Sequence, residues 1–416
     1  MRRYIPQSFL DLYHLWFAVL GAKLYGHPSR QLFVVGITGT KGKSTTSELV
    51  RTMLEGAGHK VALASTIHFR IGDEIEPNLF KMSMPGHAYL QKFMRRAHEA
   101  GCTHVVLEMT SEGAKQFRHK GIELDVLIFT NLQPEHLESH GSMEAYAAAK
   151  LELMHGLEAS SKRPRYMVAN LDDAYGPRFL EAQVEARVPF SLSDAEPYSV
   201  DDTSIRFVYK NGELFTIPLP GLFNLRNVLA AISLGEAMDI DIKLVQKSLE
   251  RTRPILGRAE RVEEGQNFAV VVDYAHTPDS LKALFETYKH KRIIAVMGST
   301  GGGRDQWKRP EMGKIADSYC KLIFLTNEDP YDEDPDKIID DIATGITHQT
   351  PRIVLNRRGA IAQAIGEARE GDVVLLTGKG TDPYIMGPRG SKEPWSDKTV
   401  AQEELHKLLR KGAAAR

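Results

Sequence analysis

The stretch "GITGTKGKSTTSELV", Gly36 to Val50, decides how this chain is read. It has the parts of a phosphate cradle on a shorter spacing than the common one. The usual pattern needs a glycine, four residues and then Gly-Lys-Ser/Thr, and the place of that first glycine is held by Ile37. What remains is Gly39, Gly42, Lys43, Ser44 and Thr45 on a tighter turn. The apolar run "QLFVVGIT" precedes it, so a strand is expected to end at Thr38 and a helix to start near Ser44. Backbone N–H groups and the helix N-terminus then face an anion. Lys43 would neutralise the β- and γ-phosphates, and the hydroxyl of Ser44 or Thr45 would reach Mg²⁺.

Outward from this loop, short Val/Ile/Leu-rich runs alternate with longer amphipathic stretches: "KVALAST", "THVVLEM", "DVLIFTN" and "RYMVANL". That rhythm predicts an α/β fold with a mainly parallel sheet covered by helices. "TSIRFVYKNGELFTIPLPG" alternates more and holds Asn211-Gly212, which reads as a hairpin. Near "RTRPILGRAERVEEGQN" the periodicity gives way to Pro, Gly and charge, and then the rhythm restarts with "FAVVVDYAH", "RIIAVMGST", "KLIFLTNED", "RIVLN" and "DVVLLTGKG". The expected organisation is an N-terminal helical segment over 1–30, a central phosphate-loop domain over 31–256, and a C-terminal Rossmann-like α/β domain over 257–416.

Composition narrows the class. Apolar residues make up 42% and charged residues 26%, as in a soluble globular protein, and 53 basic against 54 acidic residues leave no field for a nucleic-acid partner. Cys102 and Cys320 lie far apart in apolar surroundings, which reads as two buried free thiols and fits a reducing cytoplasm. The N-terminal "SFLDLYHLWFAVLGAKLYG" is interrupted by Asp11, His14 and Lys23, so its apolar run is too short to span a membrane, and it lacks a signal-peptide cleavage pattern. A helix packed against the protein is expected, with an interfacial or partner-binding helix as the alternative.

Two further stretches carry chemistry. In "VVLEMTSEG", Glu108 ends an apolar run, where an open α/β sheet presents ligands, and a carboxylate there can hold Mg²⁺. In "IFTNLQPEHLESHGSMEAYAAAKLELM", Asn131 follows a strand and His136 a Pro-initiated turn. His136 and His140 are four apart, but no third ligand at metalloprotease spacing accompanies them, so zinc is set aside. Lys150 sits among Ala and Leu, where desolvation disfavours its charged form. A neutral amine there can take up carbon dioxide as a carbamate able to ligate Mg²⁺, whereas a lysine snorkelling to water is the plainer alternative.

GTKGKST, "LEMTSEG", "TNLQPEHLESHG" with "AAK", "GLFNLRNVLAA", "GRAERV", "VVDYAHTPDSL", "GGGRDQWKRPEMG" and "GKGTDPY" occur in one order across about residues 32 to 405. Together they resemble the Mur ligase family, the ATP-dependent amide ligases of peptidoglycan precursor synthesis, and within it the UDP-N-acetylmuramoyl-tripeptide synthetases. Folylpolyglutamate synthetases share the loop and the lysine, but "DYAHTPDSL" with the GGGRD stretch resembles the muramyl branch better. The resemblance implies that Gly39, Thr40, Lys41, Gly42, Lys43, Ser44 and Thr45 bind ATP and that Ser44, Glu108, His136 and Lys150 (as a carbamate) hold Mg²⁺. Asn131, and Asn224 and Asn227 near the adenine, would join them, as would Arg258, Asp273, His276 and Arg304 of the second domain. Ser83, Ser111 and Arg118 fall where the nucleotide-sugar peptide acceptor is contacted, and Glu328, Asp329, Tyr331, Gly378 and Asp382 where the incoming amino acid is met.

The reaction the resemblance implies begins with attack of an acceptor carboxylate on the γ-phosphate, giving an acyl phosphate and ADP. An amino group then displaces phosphate to form the amide, under a two-domain clamp that excludes water.

Three departures qualify it. Only about 36 residues precede the loop, where a tripeptide synthetase has a UDP-binding domain, so UDP would be bound differently, the acceptor would lack that handle, or a partner or other element would replace the domain. "NEDPYDED" stands where diaminopimelate enzymes have Asp-Asn-Pro-Arg; Tyr331 cannot clamp a carboxylate as Arg does, and acids at Glu328, Asp329, Asp332, Glu333 and Asp334 lean towards lysine or ornithine. "GKGTDPY" has Thr381 and Asp382 where His and Glu are usual, and "MSMPG" leaves Ser83 but puts Met84 in the second slot of an acceptor-contacting Thr-Thr-Pro. Two rivals stay open: a ligase for a folate or another wall polymer, and a nucleotide-binding subunit that serves a partner.

Overall fold

The computed structural model describes residues 7–414 apart from His87, His136 and Asn211. The chain forms two compact units, one running to Thr252 and one from Arg253 onward, the second also taking in Val200–Ser204 and Leu219–Leu222.

The first unit is built on eight strands: β1 (Phe33–Thr38), β2 (Val61–Ala64), β3 (His68–Ile71), β4 (Glu74–Pro77), β5 (His104–Glu108), β6 (Val126–Phe129), β7 (Tyr166–Asn170) and β8 (Ala186–Phe190). Their order is β4-β3-β2-β5-β1-β6-β7-β8. From β2 to β8 neighbouring strands run parallel, and β3 and β4 extend one edge as an antiparallel pair. Helices cover both faces of the central strands, so β5 and β6 are buried at every position and read as unbroken apolar runs, while the edge strand β4 is exposed throughout. Each fully buried Val, Leu or Ile there contributes roughly 1.5–3 kcal/mol. The register sets Ile37 beside Glu108 and Thr38 beside Phe129, so β1, β5 and β6 end together and the loops that follow them emerge side by side.

The helices that matter to the site are α1 (Gln7–Leu24), α2 (Lys43–Gly56), α3 (Tyr89–Glu99), α4 (Ser111–Lys115), α5 (Leu137–His140) and α6 (Met143–Glu158). One side of α1 packs through small residues: a methyl group added at Gly21 would lie 2.5 Å from the Ala88 Cβ, and one at Gly121 would lie 2.8 Å from the Ala22 Cβ. Its other side leaves Phe9, Leu12, Trp16 and Leu24 exposed. Among the described residues, no helix is long and apolar enough to cross a membrane. The strands Ile205–Val208 and Leu214–Ile217 pair antiparallel, and Asn211 of their connection lies outside the described residues.

In the second unit, six strands lie in the order Glu260–Arg261, Ala269–Val272, Val373–Leu376, Ile293–Met297, Leu322–Leu325, Arg352–Ile353. All neighbours are parallel except the first pair. Cys102 and Cys320 are free and buried.

Candidate active site

Between β1 and α2 the chain makes the cradle. Gly39 has φ 147° and Gly42 φ 82°, and side chains could not enter. A Cβ at Gly39 would lie 1.9 Å from Thr130 Oγ1, and one at Gly42 2.2 Å from Asn227 Oδ1. The loop is fastened from β6: Asn131 Oδ1 accepts from Lys41 N at 2.9 Å, its Nδ2 donates to Lys41 O at 3.0 Å, and Thr130 Oγ1 donates to the same carbonyl at 2.7 Å. The Asn131 side chain therefore grips the loop backbone. Asn227, buried on the helix Leu222–Ala237, lies beneath Gly42, accepts from Thr46 Oγ1 at 3.3 Å and donates to Asn224 Oδ1 at 3.1 Å. Lys41 pairs with the buried Glu135 at 2.7 Å.

Glu108, 3% exposed at the end of β5, sits in a ring of donors. Ser44 Oγ donates to its Oε2 at 2.9 Å and Thr66 N at 3.0 Å, while Thr66 Oγ1 and Ser83 Oγ donate to Oε1 at 2.7 and 2.8 Å. Burial alone would raise its pKa, but the charge of Lys43 and the bonds from Thr66 and Ser83 outweigh it and hold the carboxyl below its ordinary range. Ser83 is thus engaged with the carboxylate. Thr45 is buried in the first turn of α2.

Two lysines converge on one carbonyl. Lys43 Nζ donates to Gly39 O at 3.0 Å and to Thr40 O at 2.9 Å, and Lys150 Nζ, from α6, donates to Gly39 O at 2.7 Å. Lys150 is 1% exposed and its amine lies 4.7 Å from the centre of the Tyr146 ring, so the snorkelling alternative does not hold. Burial first, and then the charge of Lys43, push its pKa well below the ordinary lysine value. His136 lies outside the described residues.

Towards α4, Ser111 is buried in the first turn, and Thr110 caps the helix by accepting from Gly113 N at 3.1 Å. Arg118 donates to Met84 O and Gln116 Oε1.

The second unit has its own cluster. The Arg258 guanidinium lies 4.5 Å from the centre of the Tyr274 ring, His276 Nδ1 is 2.7 Å from Tyr274 O, and Asp273 accepts from Ala259 N and Ala275 N at 2.6 and 2.7 Å. In the same unit Arg304 lies 5.5 Å from the centre of the Tyr331 ring, and Tyr331 holds φ 53°.

The acidic stretch is engaged within the fold. Asp329 pairs with the buried Lys379 at 2.8 Å and accepts from Met386 N at 2.8 Å; Glu333 pairs with Arg309 at 2.6 Å; Asp332 accepts from Arg389 N at 2.6 Å; Asp334 caps the helix Pro335–Ala343. Glu328 accepts from Thr300 Oγ1 at 2.9 Å, and a Cβ at Gly378 would lie 2.1 Å from its Oε2. Burial and the neighbouring Asp329 push the Glu328 carboxyl above its ordinary range. Of these acids Asp329 and Glu333 meet a cation of the fold, whereas Asp332 and Asp334 meet backbone N–H groups and Glu328 a hydroxyl, with its Oε2 buried and unpartnered. Asp382 lies 3.6 Å from Lys379 Nζ. Lys379, Tyr274, Thr66 and Tyr146 belong to these clusters without having been singled out by sequence. Of these, Lys379 carried a signal, an ammonium enclosed in the apolar-flanked "TGKGTDPY".

The residues at the loop fit what its chemistry calls for. The glycine cradle brings the N-terminus of α2 to the end of β1, where an anion would sit, and the Ser44 hydroxyl and Glu108 carboxylate form an oxygen pair suited to a hard divalent cation.

A glycine loop between strand and helix at the carboxyl edge of a parallel sheet marks a phosphate-loop nucleotide-binding protein. Comparison with known proteins narrows the class: residues 37–235 match the Mur ligase middle domain and residues 257–380 the Mur ligase glutamate ligase domain. The chain is 36% identical over 402 residues to the UDP-N-acetylmuramoyl-L-alanyl-D-glutamate–2,6-diaminopimelate ligase of Syntrophomonas wolfei, covering 93% of this chain and 81% of that one. It is also 36% identical over 422 residues to a UDP-N-acetylmuramyl-tripeptide synthetase of Roseiflexus, covering 94% and 82%. A solved structure of a diaminopimelate ligase of the same name superposes with TM-score 0.61 at 28% identity over 91% of this chain and 79% of that one. The folylpolyglutamate synthase of Mycobacterium tuberculosis shares the fold at TM-score 0.69 and 16% identity, covering 88% and 93%. The chain belongs to the Mur ligase family and is an ATP-dependent acid–amino-acid ligase, of a family that uses ATP and Mg²⁺.

Proposed function

We propose that the protein joins a free amino acid to a carboxylate of a UDP-N-acetylmuramoyl-dipeptide-like cell-wall precursor in the cytoplasm. The carboxylate is activated as an acyl phosphate, with release first of ADP and then of phosphate. The observation that carries this reading is the convergence of Ser44, Glu108, Lys43 and Lys150 on the base of the glycine loop.

The acceptor carboxylate and the γ-phosphate are both anions, and their approach must be offset by fixed positive charge. Lys43 supplies that charge beside the loop, and amides at the N-terminus of α2 orient the phosphates, while those of Thr40 and Lys41 are held by Asn131. Magnesium, when bound, adds Lewis-acid neutralisation, and Ser44, Glu108, His136 and Lys150 are the residues that would hold it. Lys150 would do so as a carbamate. Its burial favours the neutral amine, whose lone pair bonds to the carbon of CO₂ as one N–H proton passes to solvent, and the product is a carbamate anion near the charge of Lys43. Asn131 and Asn227 keep the loop in shape. Arg258, Asp273, His276 and Arg304 serve the nucleotide, Ser111 and Arg118 the acceptor, and Glu328, Tyr331, Gly378 and Asp382 the incoming amino acid.

Phosphate release from ATP with magnesium and bicarbonate tests this. The wells contain UDP-N-acetylmuramoyl-L-alanyl-D-glutamate with lysine, ornithine, diaminopimelate or no amino acid, and a parallel set contains a folate with glutamate. Release that needs the muramoyl acceptor and one amino acid supports the proposal and names that amino acid; release only with the folate would refute it. For the carbamate, ¹³C-bicarbonate should give a carbonyl resonance that Lys150→Ala lacks.

A further inference from the structure

The outer side of α1 is built like one half of an interface. The inner side approaches the protein closely at Gly21 and Ala22, whereas the outward positions are Phe9, Leu12, Tyr13, Trp16, Val19, Leu20, Lys23 and Leu24. Apart from Lys23 these are large apolar side chains, and they are 39% to 72% exposed. Their spacing by three and four residues makes one continuous stripe along the helix, the kind of seam through which one helix packs against another.

Phe9, Tyr13 and Trp16 are 67%, 47% and 57% exposed, so at roughly 150–250 Å² per aromatic side chain they leave about 350 Å² in water. Leu12, Val19, Leu20 and Leu24 bring the stripe to about 700 Å², above the roughly 300–600 Å² of the largest apolar patch on a typical monomer. That area is close to the roughly 800 Å² each partner contributes to a stable interface of standard size.

The seven positions from Phe9 to Lys23 read the same from either end, in steps of 3, 1, 3, 3, 1 and 3 residues with Trp16 in the middle. An isologous interface needs this property, because a two-fold axis brings each position of one copy against its mirror position in the other. Two copies of α1 packed antiparallel about Trp16 set Leu12 against the partner's Leu20 and Tyr13 against the partner's Val19. Phe9 then meets the partner's Lys23, and an ammonium over an aromatic ring is favourable. A helix lying on an anionic membrane needs lysine and arginine along its flanks, and α1 has Lys23 alone. The net charge of −1 leaves little repulsion between two copies.

We propose that the outer stripe of α1 is a self-association surface, and that the protein pairs with a second copy of itself, α1 antiparallel to α1 across a two-fold axis at Trp16. Gly21 and Ala22 fasten the inner side of the helix against Ala88 and Gly121, so the axis joins the first units of the two copies. The pairing stands on the helix and does not depend on the ligase reading.

Sedimentation equilibrium of the full chain across a dilution series tests this, with circular dichroism as the check on folding. Wild type should be a dimer that dissociates on dilution. Trp16→Glu, Leu12→Glu and Leu20→Lys each put an unpaired charge in the seam and should raise the dissociation constant at least about a hundredfold. Their circular dichroism should match wild type, because these side chains are exposed in the single chain. Leu12→Glu combined with Leu20→Lys in one chain sets opposite charges face to face twice and should recover at least about tenfold of that loss. Ile353→Glu, at an exposed apolar side chain of the second unit, should leave the dimer as it is. A wild-type chain that stays monomeric at every concentration, or a dimer that survives all three single substitutions, would overturn the proposal. Failure of the combined variant to recover would overturn the antiparallel pairing about Trp16. Pelleting of a monomeric wild type with phosphatidylglycerol vesicles, lost in Trp16→Glu, would overturn the proposal in favour of a lipid surface.

Discussion

Arg357 and Asp397 form an ion pair with both side chains at 0% exposure, joined through Nε at 2.8 Å and Nη2 at 2.6 Å. Arg357 also donates to Thr377 O at 2.8 Å and Asn327 O at 3.4 Å, which precede Gly378 and Glu328. Arg357→Met keeps the apolar stem of the side chain and removes its guanidinium, leaving the carboxylate buried with Trp395 Nε1, at 2.7 Å, as its remaining side-chain donor. Breaking such a pair from one side costs about 3–5 kcal/mol, because the abandoned charge is desolvated without compensation. Adding Asp397→Leu removes that charge and should recover at least half the loss. The assay is urea unfolding followed by tryptophan fluorescence; Trp395 reports at the pair itself, and Trp16 in the other unit serves as an internal contrast. Positioning separates from stability in the double variant: refolded to near wild-type stability, it should still show a raised amino-acid KM, because neither carbonyl regains its donor. A single variant that loses less than about 1 kcal/mol, or a double variant less stable than the single, would refute the argument.

Other outcomes follow from the same geometry. Glu108→Gln turns a carboxylate ringed by four donor contacts into an amide that must aim its NH₂ at some of them, so phosphate release should fall at least about a hundredfold, and stability by about 1–3 kcal/mol in thermal unfolding. Gly42→Ala places a methyl group 2.2 Å from Asn227 Oδ1 at positive φ and should weaken nucleotide binding by calorimetry, with a stability loss of about 1–2 kcal/mol. Burial of His119, with Lys120 adding to it, lowers its pKa to about 4, so the folded state resists a proton that the unfolded chain takes up near pH 6.5. Its contribution is full above pH 6.5 and declines as pH falls towards 4, by up to about 3 kcal/mol, and urea midpoints of His119→Leu should show a shallower decline over that window.

The parallel core of both units was legible because fully buried strands leave unbroken Val/Ile/Leu runs, and the glycine loop because only glycine tolerates its contacts with Thr130 and Asn227. The antiparallel extension β3–β4 was less legible, since an exposed edge strand such as "EIEP" carries no apolar alternation. Charge was the least legible feature. "NEDPYDED" reads as a negative field in one dimension, but Lys379 and Arg309, distant in sequence, fold back against Asp329 and Glu333. Selection of the incoming amino acid therefore cannot be read from a count of acids. A clamp for a distal carboxylate needs a guanidinium, and the sequence offers Tyr331 at the position where one was sought. The fold sets Arg304 over the Tyr331 ring instead, so a cation returns to that neighbourhood from a different loop. The lean towards lysine or ornithine therefore rests on Asp332, Asp334 and Glu328, whose bonds in the fold come from backbone N–H groups and a hydroxyl, and the amino-acid series of the phosphate-release assay decides it.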